Sequence, residues 1–124
     1  MARPLKPLHW IASSLDDLRQ LPEDVKDEFG YALQRAQEGA RAPRAKPLQG
    51  FGGANVLEIV EDHDGATYRA VYTVRFALAI YVLHVFQKKS KRGVATPQAD
   101  LSLIKSRLRT AAEEYERQYG GNSP

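Results

Sequence analysis

Glu58, Arg69 and His84 are a carboxylate, a guanidinium and an imidazole spread over 27 residues of chain that otherwise reads as strands. A guanidinium meets a phosphate with two parallel donors, an imidazole titrates nearest neutrality, and a carboxylate can take a proton or orient a neighbour. That is the set needed when an RNA 2′-hydroxyl attacks its own phosphodiester: a base for the hydroxyl, positive charge on the phosphate, and a proton for the leaving oxygen. A plainer reading stands beside it. Glu58 and Arg69 would form a cross-strand ion pair worth at most about 1 kcal/mol if exposed, and His84, in an apolar stretch, would be a satisfied structural residue.

Positive charge is concentrated near these residues. Phe86 is followed by Gln87, Lys88, Lys89, Ser90, Lys91 and Arg92, an aromatic leading into an acid-free basic run, as where a base stacks while phosphates are neutralised. Arg41, Arg44 and Lys46 form a second acid-free basic stretch. Together the two carry +7 against a net charge of +3, so the remainder sums to −4. Phe86, Lys88, Lys89, Lys91 and, more weakly, Lys46 are therefore candidate RNA contacts, those after Phe86 in an exposed loop. Gly50, Gly52 and Gly53 lack a following lysine and serine and precede a strand, so they read as turn residues and not as a phosphate loop. The chain has no cysteine, which removes disulfides, thiolate catalysis and cysteine-held metals. His9, His63 and His84 have no paired spacing. No metal or cofactor is expected.

The elements that must position these groups follow from the hydrophobic pattern. Residues 8–12 read as a first strand. A serine cap at Ser14 with Asp16 and Asp17 opens a short helix, and Pro22 with Glu23 and Asp24 starts a second, whose apolar stripe is Val25, Phe29, Leu33 and Ala36. Residues 39–53 read as a loop. From Asn55 the period becomes two, and Asp64-Gly65 marks a two-residue hairpin turn that pairs His63 with Ala66 and Val60 with Arg69. Leu57, Ile59, Tyr68, Ala70, Tyr72 and Val74 then share one core-facing side, with Val56, Glu58, Arg69, Thr73 and Arg75 on the other. A second tight turn near Phe76-Ala77 sets Ala79, Tyr81, Leu83 and Val85 on the core side, and Ile80, Val82, His84 and Phe86 on the polar side, His84 opposite Arg69. Thr96-Pro97 opens a last helix with the stripe Leu101, Ile104, Leu108, Ala111 or Ala112, and Tyr115.

At 124 residues, with 43% hydrophobic and 27% charged, the chain suits one domain, its ordered core spanning about residues 8–118. No apolar run approaches the roughly 18 residues of a membrane span, and no signal-peptide segment forms, so no membrane association and a cytoplasmic location are expected.

The string Val56-Leu57-Glu58-Ile59, Tyr68-Arg69-Ala70-Val71-Tyr72, Tyr81 through Ser90 and Thr96-Pro97, with Lys46-Pro47-Leu48 and Gly50 before it, resembles the phage-related, HigB-like branch of the RelE/ParE toxins of type II toxin-antitoxin systems. The resemblance runs from about Leu8 to Tyr115. It implies an α+β RelE-like fold: an N-terminal helical hairpin and a C-terminal helix on a small antiparallel sheet. It also implies metal-independent cleavage of messenger RNA, generally on the translating ribosome, and a helix-turn-helix antitoxin as partner. On matching positions it makes Arg69 the phosphate-stabilising residue, Lys88 and Lys89 the basic pair ending the last strand, and Lys46 the lysine of the preceding loop. Two departures stand out. Val60 occupies a position where related chains often carry a basic residue, and Gly93-Val94-Ala95 lacks the tyrosine that RelE uses, which shifts the proton chemistry toward His84 and Glu58. Alternatives of other classes are a ParE-like gyrase inhibitor and a non-catalytic module that binds nucleic acid or antitoxin.

Overall fold

A computed structural model of the chain describes residues 4–88 and 96–120. In chain order these form β1 (Leu8–Trp10), α1 (Ser14–Arg19), α2 (Glu23–Gln37), β2 (Lys46–Pro47), β3 (Val56–His63), β4 (Ala66–Thr73), β5 (Ile80–Lys88) and α3 (Gln98–Tyr115), ending in a π-helical turn, Glu116–Gly120. The sheet order is β1-β5-β4-β3-β2. β3, β4 and β5 form an antiparallel meander, β2 adds antiparallel to β3, and β1 lies parallel to β5. The sheet is thus mixed and not purely antiparallel, because the chain leaves β1 through two helices and the β2–β4 meander before reaching β5, and that long crossover permits a parallel pairing.

The helices begin where proline and acids place them. Pro22 and Pro97 sit just before α2 and α3, with Glu23 and Asp24, and Asp100, in the first turns. At α1 the flanking serine is Ser13; its hydroxyl donates to Asp17 at 2.8 Å, while Ser14, inside the helix, donates to the Val82 carbonyl at 3.3 Å. The serine expected to cap the helix therefore ties it to β5. The stretch 39–53, expected as loop throughout, contains β2, whose pairing sets Lys46 opposite Glu58 and Pro47 opposite Leu57. Two residues, one of them proline, are too few to show a period.

The Asp64-Gly65 hairpin has the expected register, His63 to Ala66 and Val60 to Arg69. Both turn residues take positive φ, 49° and 80°, the left-handed conformation of a type I′ turn that matches strand twist. The second connection departs from expectation. It is a six-residue loop, 74–79, followed by a β-bulge: Val71 pairs with His84 but Tyr72 pairs with Val82, leaving Leu83 as the extra residue. The bulge inverts the parity of the first half of β5. Ile80 and Val82 join Val85 on the side of Leu57, Ile59, Ala70 and Tyr72, whereas Ala79, Tyr81 and Leu83 go to the side of Val56 and Val71. His84 therefore faces Val71, and Phe86 is the residue opposite Arg69.

Consequently both faces of the sheet are core. Val25, Phe29, Ala32, Leu33 and Ala36 of α2 cover the first. On the second, Ile104 and Ala111 of α3, flanked by Leu101, Leu108 and Tyr115, pack on Val71, Tyr81 and Leu83. The side expected to be polar is covered by a helix, with Glu58, Arg69 and His84 enclosed at its margin.

Candidate functional site

Arg69 is only 3% exposed, on the second face near the start of β4. Its Nη1 donates to Glu58 Oε2 at 3.0 Å and to Thr96 Oγ1 at 3.2 Å, and the Thr96 hydroxyl donates in turn to Glu58 Oε2 at 3.2 Å. Glu58 and Arg69 share this face because Glu58 pairs with Val71 and Val60 with Arg69, placing the two on one diagonal. Thr96 comes from the segment entering α3. Over the carboxylate lies a cleft of about 250 Å3 lined by Lys46, Leu48, Gln49, Glu58, Thr96 and Leu101. The exposed Lys46, across the β2–β3 pairing from Glu58, stands at its mouth.

A second polar group surrounds His84. Its Nε2 lies 2.8 Å from Asp100 Oδ1, and Arg107 Nη1 lies 3.5 Å from its Nδ1 while donating to the Leu83 carbonyl at 2.9 Å. These partners assign the neutral tautomer with hydrogen on Nε2, the nitrogen that faces a carboxylate. The ring stacks on Phe86, centroids 4.3 Å apart at 14°. Phe86 opposes Arg69 across the strands, so the two polar groups lie side by side. Burial pushes the His84 pKa below its ordinary value; Asp100 acts against that shift and Arg107 with it.

A proton bound more tightly by the unfolded chain than by the folded one makes stability rise with pH, so the contribution of His84 is lost as the pH falls below about 6.5 and through the lower folded value. His84→Gln is expected to flatten this acid loss. Denaturant midpoints at pH 7.5 and 5.5 check it; an equal fall in both proteins would show that His84 does not carry the effect.

Of the residues that the sequence singles out, Glu58 and Lys46 line one cleft, Arg69 is held on Glu58 beneath it, and His84 and Phe86 stack beside them. Lys88 is the last residue of β5, only 7% exposed and on the face of Arg69, so it is not a loop charge: β5 runs one residue past Gln87, pairing Lys88 with Thr67. Lys89 and Lys91 lie outside the described residues. Three participants were missed as site residues: Thr96, Asp100 and Arg107. The last two are seven apart, two helical turns along the border of the α3 apolar stripe, and polar residues at that spacing beside a buried stripe are the signal that was available. Among the described residues no three carboxylates or histidines gather as a metal site would need, and no helix is long and apolar enough to cross a membrane.

The five-stranded sheet with helices on both faces is an α+β fold similar to that of a RelE toxin. The fold of a double arginine-to-alanine mutant of Escherichia coli toxin RelE in the free state is similar, with a TM-score of 0.52 and 19% identity over 86% of this chain and 97% of that one. The isolated E. coli RelE toxin gives a TM-score of 0.46 and 21% identity over 83% of this chain and 98% of that one. Residues 16–109 match the model of the family described as phage derived protein Gp49-like (DUF891). This chain belongs to that Gp49-like family. A search of curated proteins found no match.

Proposed function

We propose that this chain is the toxin of a type II toxin-antitoxin pair and an endoribonuclease of the HigB-like kind that cuts messenger RNA on the translating ribosome. The observation that carries this reading is the Arg69–Glu58–Thr96 triad beneath a cleft whose mouth holds Lys46. In the proposed reaction the exposed Lys46 draws in the RNA backbone. Glu58 takes the proton of a 2′-hydroxyl, whose oxygen attacks the adjacent phosphorus. Arg69, turning from Glu58 toward the phosphate, stabilises the added negative charge. The bond to the 5′ oxygen then breaks, that oxygen takes a proton from water in the cleft, and a 2′,3′-cyclic phosphate remains. No metal or cofactor takes part. His84, with both ring nitrogens engaged by α3 residues, positions the helix that delivers Thr96. The proposed partners are messenger RNA, the ribosome and a helix-turn-helix antitoxin.

Induction of the chain alone is expected to stop incorporation of labelled amino acids within minutes and to leave new 5′ ends within translated messages, mapped by primer extension. Continued protein synthesis with gyrase-dependent DNA breaks would instead support a gyrase inhibitor. Continued synthesis without breaks would support a non-catalytic binding module.

A further inference from the structure

β1 pairs with β5 only as far as Val82, so among the described residues no strand covers the far half of that β5 edge, and the α1–α2 corner stands beside it. Between them is an open cleft of about 370 Å3. Its walls are flat: the half-buried rings of Tyr68 and Phe86, with His84 stacked behind Phe86, and Pro22 at the corner. Its polar groups include two neutral amides, Gln20 and Gln87, both exposed, and the half-buried Asp17 carboxylate, which accepts from the Ser13 hydroxyl. Among the described residues no lysine or arginine lines it. That chemistry differs from the cleft at Lys46. Planar walls with amide forks suit the face and edge of an aromatic heterocycle, because each glutamine offers a donor and an acceptor in one plane.

Its place in the sheet ties it to the triad. Tyr68 and Gln87 are cross-strand partners, and each immediately precedes a residue of the basic face, Arg69 and Lys88. Phe86, a wall of the cleft, is the cross-strand partner of Arg69 and shares its face, whereas Tyr68 and Gln87, one step along each strand, turn to the opposite side, so the cleft wraps the β5 edge and reaches the face that carries the positive charge.

We propose that this cleft is a base-reading subsite that takes a single unstacked purine next to the scissile phosphate and sets where the RNA is cut. The inference rests on the RNA reading above. Glutamine pairs bidentately with adenine, and a carboxylate accepts from the paired N–H donors of guanine, so the cleft has a partner for either purine edge.

The test titrates the isotope-labelled full chain with AMP, GMP, CMP, UMP and inorganic phosphate, following backbone amide signals. AMP and GMP are expected to shift Gln20, Leu21, Tyr68 and Gln87 saturably and to bind about tenfold more tightly than CMP or UMP, the discrimination of roughly one good bidentate pair; phosphate alone is expected to leave those signals in place. Gln20→Ala with Gln87→Ala changes two exposed side chains and is expected to weaken purine binding about tenfold or more while the remaining spectrum stays folded. Equal binding of all four nucleotides, shifts confined to the Lys46 cleft, or a double variant that binds as the parent does would each overturn the subsite. Translational arrest is read separately. A chain that fails to arrest growth but binds purines here refutes the toxin reading alone; one that arrests growth but binds no purine here refutes the subsite alone.

Discussion

Arg69→Ala is expected to remove cleavage almost completely and to lower folding stability by about 3 kcal/mol, two effects that the sequence alone does not couple. The stability loss follows from enclosure. With Arg69 at 3% exposure and the Glu58 side chain at 13%, deleting the guanidinium leaves a carboxylate with little water and no countercharge at 3.0 Å, and breaking such a pair typically costs about 3–5 kcal/mol. The activity loss follows from charge: removing a donor that stabilises the transition state typically costs about 10²-fold or more. Arg69→Lys separates the two. Lysine keeps the countercharge, so the melting temperature is expected to stay within a few degrees of the parent, but it lacks the planar two-donor fork and is expected to leave cleavage at least about tenfold slow. Glu58→Gln is expected to slow single-turnover cleavage and flatten its pH dependence. If Arg69→Lys cuts RNA as fast as the parent, the guanidinium is structural and the triad is not the reaction centre. If Arg69→Ala melts at the parent temperature, the pair is not energetically buried.

Ile104→Ala is expected to destabilise the fold by about 2–4 kcal/mol, comparable to the 3–5 kcal/mol expected of Phe29→Ala on the opposite side of the sheet. Both side chains are fully buried, Phe29 among α2 and first-face residues, Ile104 among Val71, Tyr81, Leu83 and Ala111. Comparable losses in urea or guanidinium denaturation, with an unchanged slope, would establish α3 as a wall of the core. A loss under about 1 kcal/mol for Ile104→Ala would mean that α3 rests loosely on the sheet, and that the positions of Thr96 and Asp100 are not fixed by packing. The result bears on the site directly, since α3 supplies Asp100 and Arg107 and the segment leading into it supplies Thr96.

The elements of this protein are legible in the sequence wherever a local rule is sufficient. The Asp64-Gly65 turn sets the β3–β4 register because a type I′ turn admits few residues and a two-residue loop leaves no slack. That register alone puts Glu58 and Arg69 on one face. The stripes of α2 and α3 are likewise local, since helical spacing gathers Val25, Phe29 and Leu33, or Ile104 and Ala111, with no knowledge of what they cover. Beyond single elements the reading is weaker. β2 is two residues long and shows no period. The bulge at Leu83 follows from how β4 and β5 settle against each other, and no residue type announces it; strict alternation carried through it assigns Ile80, Val82, Tyr81 and Leu83 to the wrong sides.

What the sequence determined by itself was the set of elements, the first hairpin, and a carboxylate and guanidinium held on one sheet face, because each depends on residues close in the chain or on a turn with one geometry. Only the tertiary structure decided that this face is covered. α3 comes from far along the chain, and its docking turns an exposed cross-strand pair into a buried triad with Thr96, binds His84 to Asp100 and Arg107, and leaves the far half of the β5 edge as a separate cleft. The physical reason is that burial is a property of the assembled layers. Whether Arg69 faces water or a carboxylate depends on which helix the apolar side chains of the second face recruit, and no local pattern carries that choice.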